Sequence, residues 1–328
     1  MIIHRGWHWA AAGALLFAVA VLAIAFGSAA LALREIATVF TGSAVASTRE
    51  IVIALRLPRV LLAALVGVAL GTSGATMQAT LRNGLAEPYL LGVSGGAAVG
   101  AVAGLMLRLP LALTPVAAFA GASIAVLLAL AIAHGSRAAS HVDVRTMLMA
   151  GVVVGAFANA AIMIVLANVP PDTIRGALWW MMGSVGDASW RNIEWLAGYV
   201  AVGLSYLYLR GPEVDVLTLG EESAAALGVD VESTTRRIFL ASALLAAASV
   251  AAAGLIGFVG LIVPHIVRGA GLSRQRPILL GTAVVGATLV IAADLIARVV
   301  MRPTELPLGA VTAVLGVPFF LLQLRRTR

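Results

Sequence analysis

One short pattern in the sequence is of a kind that can carry a nucleophile. Residues Gly92–Gly95 read GVSG, the glycine-flanked serine that intramembrane serine proteases place at their active site. A serine hydroxyl becomes nucleophilic only when a general base lies within hydrogen-bond reach, and we find no convincing base for Ser94. Because the chain has 34 glycines, such a pattern also arises readily by chance. The sequence therefore disfavours catalysis.

The sequence also lacks most of the residues that metal sites and nucleotide sites need. The chain has no cysteine, which excludes thiolate metal sites and iron–sulfur clusters. All 22 basic residues are arginine, so the chain lacks the lysine that a P-loop ATPase needs. Among five histidines, only His4 and His8 have the i, i+4 spacing of a ligand pair, and anchoring at the membrane interface explains them better than haem ligation. We predict no metal site, no permanently bound cofactor and no enzymatic activity.

A short acidic segment interrupts the apolar sequence. Six of the 15 acids lie between Glu213 and Glu232. Within this stretch, Glu221 and Glu222 follow Gly220 at the start of a helix-forming run, where carboxylates stabilise the positive end of the helix dipole. Gly228 suits the C-terminal end of that helix. Because two turns of helix are not stable alone in water, this helix needs a surface on which to pack.

The rest of the composition predicts an all-α integral membrane protein with a single transmembrane domain over residues 1–328. The mean hydropathy is +1.02 and 61% of the residues are hydrophobic. The predicted spans are 9–31, 60–81, 93–107, 114–134, 146–167, 191–209, 237–256, 258–268, 278–298 and 308–324. We interpret 9–31 as an uncleaved first helix rather than a signal peptide. The eighth span is too short to cross the membrane unless it borrows from its neighbour through the Gly254–Gly260 turn.

The arginines predict the orientation. With both termini in the cytoplasm, 13 arginines lie inside and nine outside, which adds up to all 22 and follows the positive-inside rule. The acidic helix then lies in the longest cytoplasmic loop, at about 211–236. The nine outer arginines either anchor the chain at the interface or bind an acidic partner or anionic solute. Because the arginines are scattered over two faces, nucleic acid is not a predicted partner.

Five motifs together resemble one family of transporters. They are RLPRVLLAALVGVALGTSGATMQATLRNGLAEPYLLGVSGGAAVGA (Arg56–Ala101), WWMMGSVGDASW (Trp179–Trp190), LGEESAAALGV (Leu219–Val229), GFVGLIVPHIVR (Gly257–Arg268) and RPTELPLGAVTAVLGVPFFLLQL (Arg302–Leu324). In this order they resemble the permeases of type II ABC importers for iron-siderophores, haem and cobalamin. The resemblance implies a homodimer of ten-helix subunits in the bacterial inner membrane. It also implies a periplasmic binding protein and two ATP-binding-cassette ATPase subunits, which hold ATP-Mg.

The same resemblance implies roles for individual residues. A cytoplasmic coupling helix that rests in a groove of the ATPase corresponds to Leu219, Gly220, Glu221, Glu222, Ala225, Leu227 and Gly228. Docking of the binding protein corresponds to Arg56 and Arg59, with Arg298 as a third candidate, although Asp294 lies one helical turn before Arg298 and is expected to pair with it. A cytoplasmic gate corresponds to Asn83, Leu85, Val144 and Arg145, but the chain has DVRT around the last two, where the family often has small polar residues.

The fifth span and the segment after it are rich in methionine and aromatic residues. The candidate lining of a translocation path is Met147, Met149, Asn159, Met163, Trp179 and Met182. Such residues often serve only to pack helices, but a soft, weakly binding wall also suits a bulky chelate.

We favour haem as the substrate, because haem carries two propionates and the outer surface is rich in arginine. Ferric siderophores and cobalamin are the alternatives. A secondary transporter remains a rival function, with Asp294 as its buried acid, but that function leaves the acidic helix unexplained.

Overall fold

The computed structural model describes residues 3–27, 31–135 and 144–326, and within these ranges the chain is helical and contains no strand. In chain order, the α-helices are α1 (Ile3–Ala25), α2 (Leu33–Thr41), α3 (Ala46–Glu50), α4 (Leu57–Thr80), α5 (Val93–Met106), α6 (Thr114–Gly135), α7 (Val144–Leu166), α8 (Pro171–Met181), α9 (Trp190–Leu209), α10 (Gly211–Leu217), α11 (Glu221–Ala226), α12 (Val231–Ala253), α13 (Val259–Gly269), α14 (Gln275–Val299) and α15 (Leu308–Arg326). A π-helical turn at Ile51–Arg56 joins α3 to α4, and a short 3₁₀ helix spans Pro88–Leu91.

Each of the ten predicted spans coincides with a helix: α1, α4 to α7, α9 and α12 to α15. Six helical stretches of the described chain are long and apolar enough to cross a membrane. The first span was placed six residues too late at each end, since α1 covers Ile3–Ala25 rather than 9–31. The reason is a long-range one, because the carbonyl groups at the end of α1 accept hydrogen bonds from two distant arginines, Arg56 and Arg298.

The eighth span is short, as its sequence predicted. Helix α13 has 11 residues, about 16 Å of helix at ~1.5 Å per residue. It is separated from α12 by residues 254–258, which we call the α12–α13 break. Both edges of the break have left-handed backbone, with φ of 71° at Gly254 and 68° at Phe258.

Helix α4 lies at the centre of the subunit and packs on α9, α12, α13 and α14. It closely approaches α14, where a Cβ added to Gly67 would lie 2.1 Å from the Gly286 carbonyl oxygen. Helices α5 and α6 meet in the same way, and a Cβ on Gly121 would lie 2.2 Å from the Gly96 oxygen. Small residues at helix contacts let the backbones approach closely, which is how helices gain packing energy inside a membrane.

Side-chain contacts define the two ends of the bundle. At one end, Arg82 lies beside Gly220, His265 beside Gly84, and Arg276 beside Gly211. We call this the α11 end. At the other, which we call the Arg59 end, Arg59 bonds to Asp294 and Glu305.

Candidate functional site

The acidic segment forms the predicted short helix. Helix α11 covers Glu221–Ala226, with Glu221 and Glu222 in its first turn. Gly220 before it has a φ of 110°, and Gly228 after it has a φ of 83°, so each glycine supplies left-handed backbone at a sharp turn. The helix and its glycine boundaries are therefore confirmed, while its role in coupling stays a prediction.

One side of α11 is open. Ala224 is buried against the subunit, whereas Leu219 and Leu227 are 64% and 63% exposed. Glu221, Glu222 and Ala225 are exposed as well. Exposed leucines beside carboxylates form a surface that is better suited to contact with a protein partner than to contact with water.

Hydrogen bonds hold the residues on both sides of α11 in place. In α10, Asp215 Oδ1 accepts a hydrogen bond of 2.7 Å from the backbone N–H of Gln275, the first residue of α14. Arg276 Nε donates to the Tyr208 carbonyl at the end of α9 at 3.1 Å. After α11, Asp230 caps α12 by accepting from the Ser233 N–H at 3.1 Å. Hydrogen bonds therefore fix the segment before α11 to α14, and cap the helix that follows α11.

The gate candidates Asn83 and Leu85 lie at this same end. Asn83 Oδ1 accepts from the Leu85 N–H at 2.9 Å, which closes a tight turn, and Leu85 is 54% exposed. A Cβ on Gly84, between them, would lie 3.1 Å from His265 Nε2 on α13. Val144 and Arg145 begin α7, but their side chains lie outside the described residues.

Two of the three docking candidates are buried rather than displayed on the outer surface. Arg56 is 6% exposed, and its Nη1 donates to the carbonyls of Ile24 at 2.6 Å and Ala25 at 2.8 Å. Arg298 is also 6% exposed and donates to the Ala23 carbonyl at 3.2 Å. Cations are stabilised at the negative C-terminal end of a helix, so both guanidinium groups serve the end of α1.

Arg59 occupies the centre of an ion-pair cluster. Its guanidinium bonds to Asp294 on α14 and, through Nη1 and Nη2, to Glu305 at 3.0 and 2.8 Å. The expected pair of Arg298 with Asp294 is confirmed, with Nε lying 3.0 Å from Oδ2. The exposed arginines at this end were not among the three docking candidates: Arg34, Arg49, Arg108, Arg175, Arg191 and Arg302.

The candidate path residues divide between an open face and the core. Met149, Met163 and Trp179 are 72%, 73% and 54% exposed, Met182 is 37% exposed, and Asn159 is also exposed. Met147 is only 2% exposed, because the first turn of α7 packs it into the core, and its place in a translocation path stays a prediction. Phe157, which the sequence analysis did not select, is 76% exposed and lies two helical turns after Met149.

Chemistry other than transport finds little support among the described residues. They contain no cluster of three histidine, aspartate or glutamate side chains placed to hold a metal ion. Asp294, the buried acid that a gradient-driven carrier would use, is already compensated by Arg59 and Arg298.

Comparison with known proteins identifies relatives over nearly the whole chain. The profile of the FecCD transport family matches residues 15–326. The chain is 41% identical over 284 residues to the cobalamin import system permease protein BtuC of Halobacterium salinarum, covering 86% of this chain and 75% of the relative. It is 40% identical over 278 residues to the vitamin B12 import system permease protein BtuC of Vibrio vulnificus, covering 85% and 83%.

A solved structure has the same fold. It is an inward-facing conformation of an ABC transporter assigned to the metal-chelate type, with a TM-score of 0.88 and 25% identity. The match covers 96% of this chain and 98% of that one. The chain belongs to the FecCD transport family and is a multi-pass membrane permease of a type II ABC importer.

Proposed function

We propose that this permease imports cobalamin. The observation that carries the proposal is the 40–41% identity to permeases named for cobalamin import in an archaeon and a bacterium. In this proposal two copies form the pore in the inner membrane, with their termini in the cytoplasm. Two separate ATPase subunits bind ATP-Mg, and a periplasmic protein delivers the substrate.

The comparisons do not support the preference for haem. It depended on an arginine-rich outer surface, and three of the nine arginines counted there are not free for haem propionates, since Arg56 and Arg298 are buried and Arg59 is engaged by two carboxylates. The names of the relatives favour the cobalamin alternative. Cobalamin is bulky and needs no dense cationic lining, so a wall of methionine and aromatic side chains that binds weakly is sufficient.

The second copy is proposed to cover the open face of α7. Met149, Val153 and Phe157 are 72%, 63% and 76% exposed and follow one another at i, i+4 spacing along this helix. A face of this kind meets either lipid or another helix. We place the dimer axis here, because the path candidates Asn159 and Met163 lie on the same helix, and two such faces would enclose a path between the subunits.

The two ends of the bundle are proposed to serve different partners. At the α11 end, Leu219, Leu227 and the two glutamates would rest in a groove of the ATPase subunit. At the Arg59 end, the exposed arginines would meet carboxylates of the binding protein, because charge complementarity speeds the association of proteins. Arg59 itself can bind a carboxylate of the binding protein only if it releases Glu305, which is the more exposed of its two partners.

Competition for uptake tests the substrate. The permease, its ATPase and its binding protein would be reconstituted in proteoliposomes, and uptake of radiolabelled cyanocobalamin measured with an excess of unlabelled cyanocobalamin, hemin or a ferric hydroxamate siderophore. We expect only unlabelled cyanocobalamin to compete. Absence of cyanocobalamin uptake together with uptake of radiolabelled iron chelate would contradict the proposal.

A further inference from the structure

Two side chains of the loop between α4 and α5 reach the α12–α13 break. Glu87 Oε1 accepts a hydrogen bond of 3.1 Å from the Phe258 backbone N–H. The Tyr89 hydroxyl donates to the Ile256 carbonyl at 2.9 Å and accepts from the Ile256 N–H at 3.3 Å. Three hydrogen bonds therefore join residues 87–89 to residues 256–258.

These bonds satisfy backbone groups that the break leaves without helical partners. Phe258 is the N-cap of α13 and makes no side-chain cap of its own. A carboxylate at this position is favoured both by the free N–H and by the helix dipole. Burial raises the pKa of Glu87, and the Phe258 N–H acts in the opposite direction. A partly buried donor or acceptor that loses its partner is costly, so these contacts resist opening.

The loop also touches the coupling segment. Arg82 Nη1 lies 3.4 Å from the position of a Cβ on Gly220, directly before α11. Arg82 has a φ of 49°, a conformation that is uncommon for a residue other than glycine and that fixes the direction in which the loop leaves α4. The start of the loop thus lies beside the residue that precedes α11, and its later residues bond to the α12–α13 break.

On its other side, the break packs against the residue after α8 and the start of α15. A Cβ on Gly183, after α8, would lie 2.6 Å from the Leu255 carbonyl oxygen, and a Cβ on Gly309, in α15, would lie 2.5 Å from the same atom. The Ser184 N–H donates to the Ala253 carbonyl at 2.8 Å. Backbone contacts this close leave little slack, so a displacement of the break must displace α8 or α15 as well.

We propose that Glu87 and Tyr89 are positioning residues that fasten the loop between α4 and α5 to the α12–α13 break, so that movement of α11 is transmitted to α8 and α15. The proposal rests on the proposed transport function. It predicts that loss of either side chain uncouples ATP hydrolysis from movement at the Arg59 end. A purely structural role predicts instead a loss of stability with coupling intact.

The absence of cysteine allows a direct test, since a single introduced cysteine is the only labelling site in this chain, which is labelled before the complex is assembled. Leu178→Cys places a spin label on α8, where the side chain is 48% exposed, and the homodimer supplies the second label. The distance between labels would be measured in the full complex with binding protein, with and without a trapped ATP analogue. Wild type, Glu87→Ala, Glu87→Gln and Tyr89→Phe would be compared, with Glu194→Ala, an exposed carboxylate on α9, as the control.

We expect a nucleotide-dependent change of distance in wild type, in the control and in Glu87→Gln, whose amide oxygen still accepts from Phe258. Glu87→Ala and Tyr89→Phe should lose the change. Substrate imported per ATP should fall about tenfold in Glu87→Ala, the order expected from loss of one hydrogen bond to a charged group. It should also fall in Tyr89→Phe, which loses the two hydrogen bonds of a neutral hydroxyl. If Glu87→Ala does not fold, Tyr89→Phe decides. An unchanged shift and unchanged coupling in the folded variants would overturn the proposal. Absence of any shift in wild type would count against the proposed function itself.

Discussion

Arg59 and Asp294 form an ion pair in which two guanidinium N–H groups reach one carboxylate oxygen, with Nη2 and Nε lying 2.9 and 3.0 Å from Asp294 Oδ1. Asp294 is 1% exposed and also pairs with Arg298. One buried carboxylate therefore compensates two guanidinium groups, and it ties α4 and α14 together at the Arg59 end.

Asp294→Asn should destabilise the subunit strongly. Removal of one partner leaves an uncompensated buried charge, at a cost of ~3–5 kcal/mol; here Arg298 loses its carboxylate partner, and Arg59 keeps only Glu305. The measurement is the thermal unfolding midpoint of the purified permease in detergent. Glu305→Gln is the matched control, because the Glu305 side chain is 48% exposed and such pairs contribute ~0–1 kcal/mol. Equal shifts for the two variants would contradict this account of the cluster.

Gly67→Ala should separate α4 from α14. The added methyl group would lie 2.1 Å from the Gly286 oxygen, so the backbones must move apart, at ~1–3 kcal/mol or more. Gly198→Ala is the control, since it lies inside α9 with no atom within 4 Å of the added Cβ, and should stabilise by roughly 0.5–1 kcal/mol. The same unfolding assay decides, and the prediction fails if both variants shift the midpoint upward.

Gly228→Val should weaken the association of the ATPase subunit. The position has a φ of 83° but free space around a Cβ, so only the backbone conformation opposes substitution. Gly228→Asn should be tolerated, because asparagine adopts the left-handed backbone conformation more readily than other residues with a side chain. The measurement is the amount of ATPase subunit that co-purifies with each folded variant. Combined reversal of Glu221 and Glu222 to arginine should also reduce it. Undiminished co-purification with the valine and arginine variants would count against coupling through α11.

Arg175→Glu should slow association of the binding protein, and the wild-type rate should fall with salt, because screening shortens to ~8 Å near physiological ionic strength. Arg274→Glu, exposed at the α11 end, is the matched control and should leave that rate unchanged. Arg56→Glu should lower the yield of folded protein instead, because its charge would face the carbonyl groups of α1. Association kinetics on immobilised permease would measure these effects, and a normal rate for Arg175→Glu would remove this residue from the docking surface.

Hydropathy and glycine positions carry much of the fold. Each of the ten spans could be placed because length and apolar composition are local properties. The bounds of α11 were likewise readable, since the acids and Gly228 lie within one short segment. The end of α1 was misplaced because it depends on Arg56 and Arg298, which lie far along the chain.

Long-range contacts account for most of what the sequence did not reveal. Glu87 and Phe258 are 171 positions apart, and no periodic pattern pairs them. The burial of Met147 depends on which face of α7 meets the core, and a helix that is apolar nearly all round gives little indication of that face. Arg56 and Arg59 of the RLPR motif were likewise assigned to the outer surface from residue type and position alone. In the structure, hydrogen bonds to the end of α1 and to two carboxylates hold their side chains within the subunit.

The dependence of uptake on ATP tests the central claim most directly. Uptake of radiolabelled cyanocobalamin would be measured in proteoliposomes that contain the permease and its ATPase, with binding protein outside and ATP-Mg inside. We predict uptake that requires ATP, stops when the P-loop lysine of the ATPase subunit is replaced, and continues in the presence of a protonophore. Uptake that follows an imposed proton or sodium gradient without ATP would contradict the account.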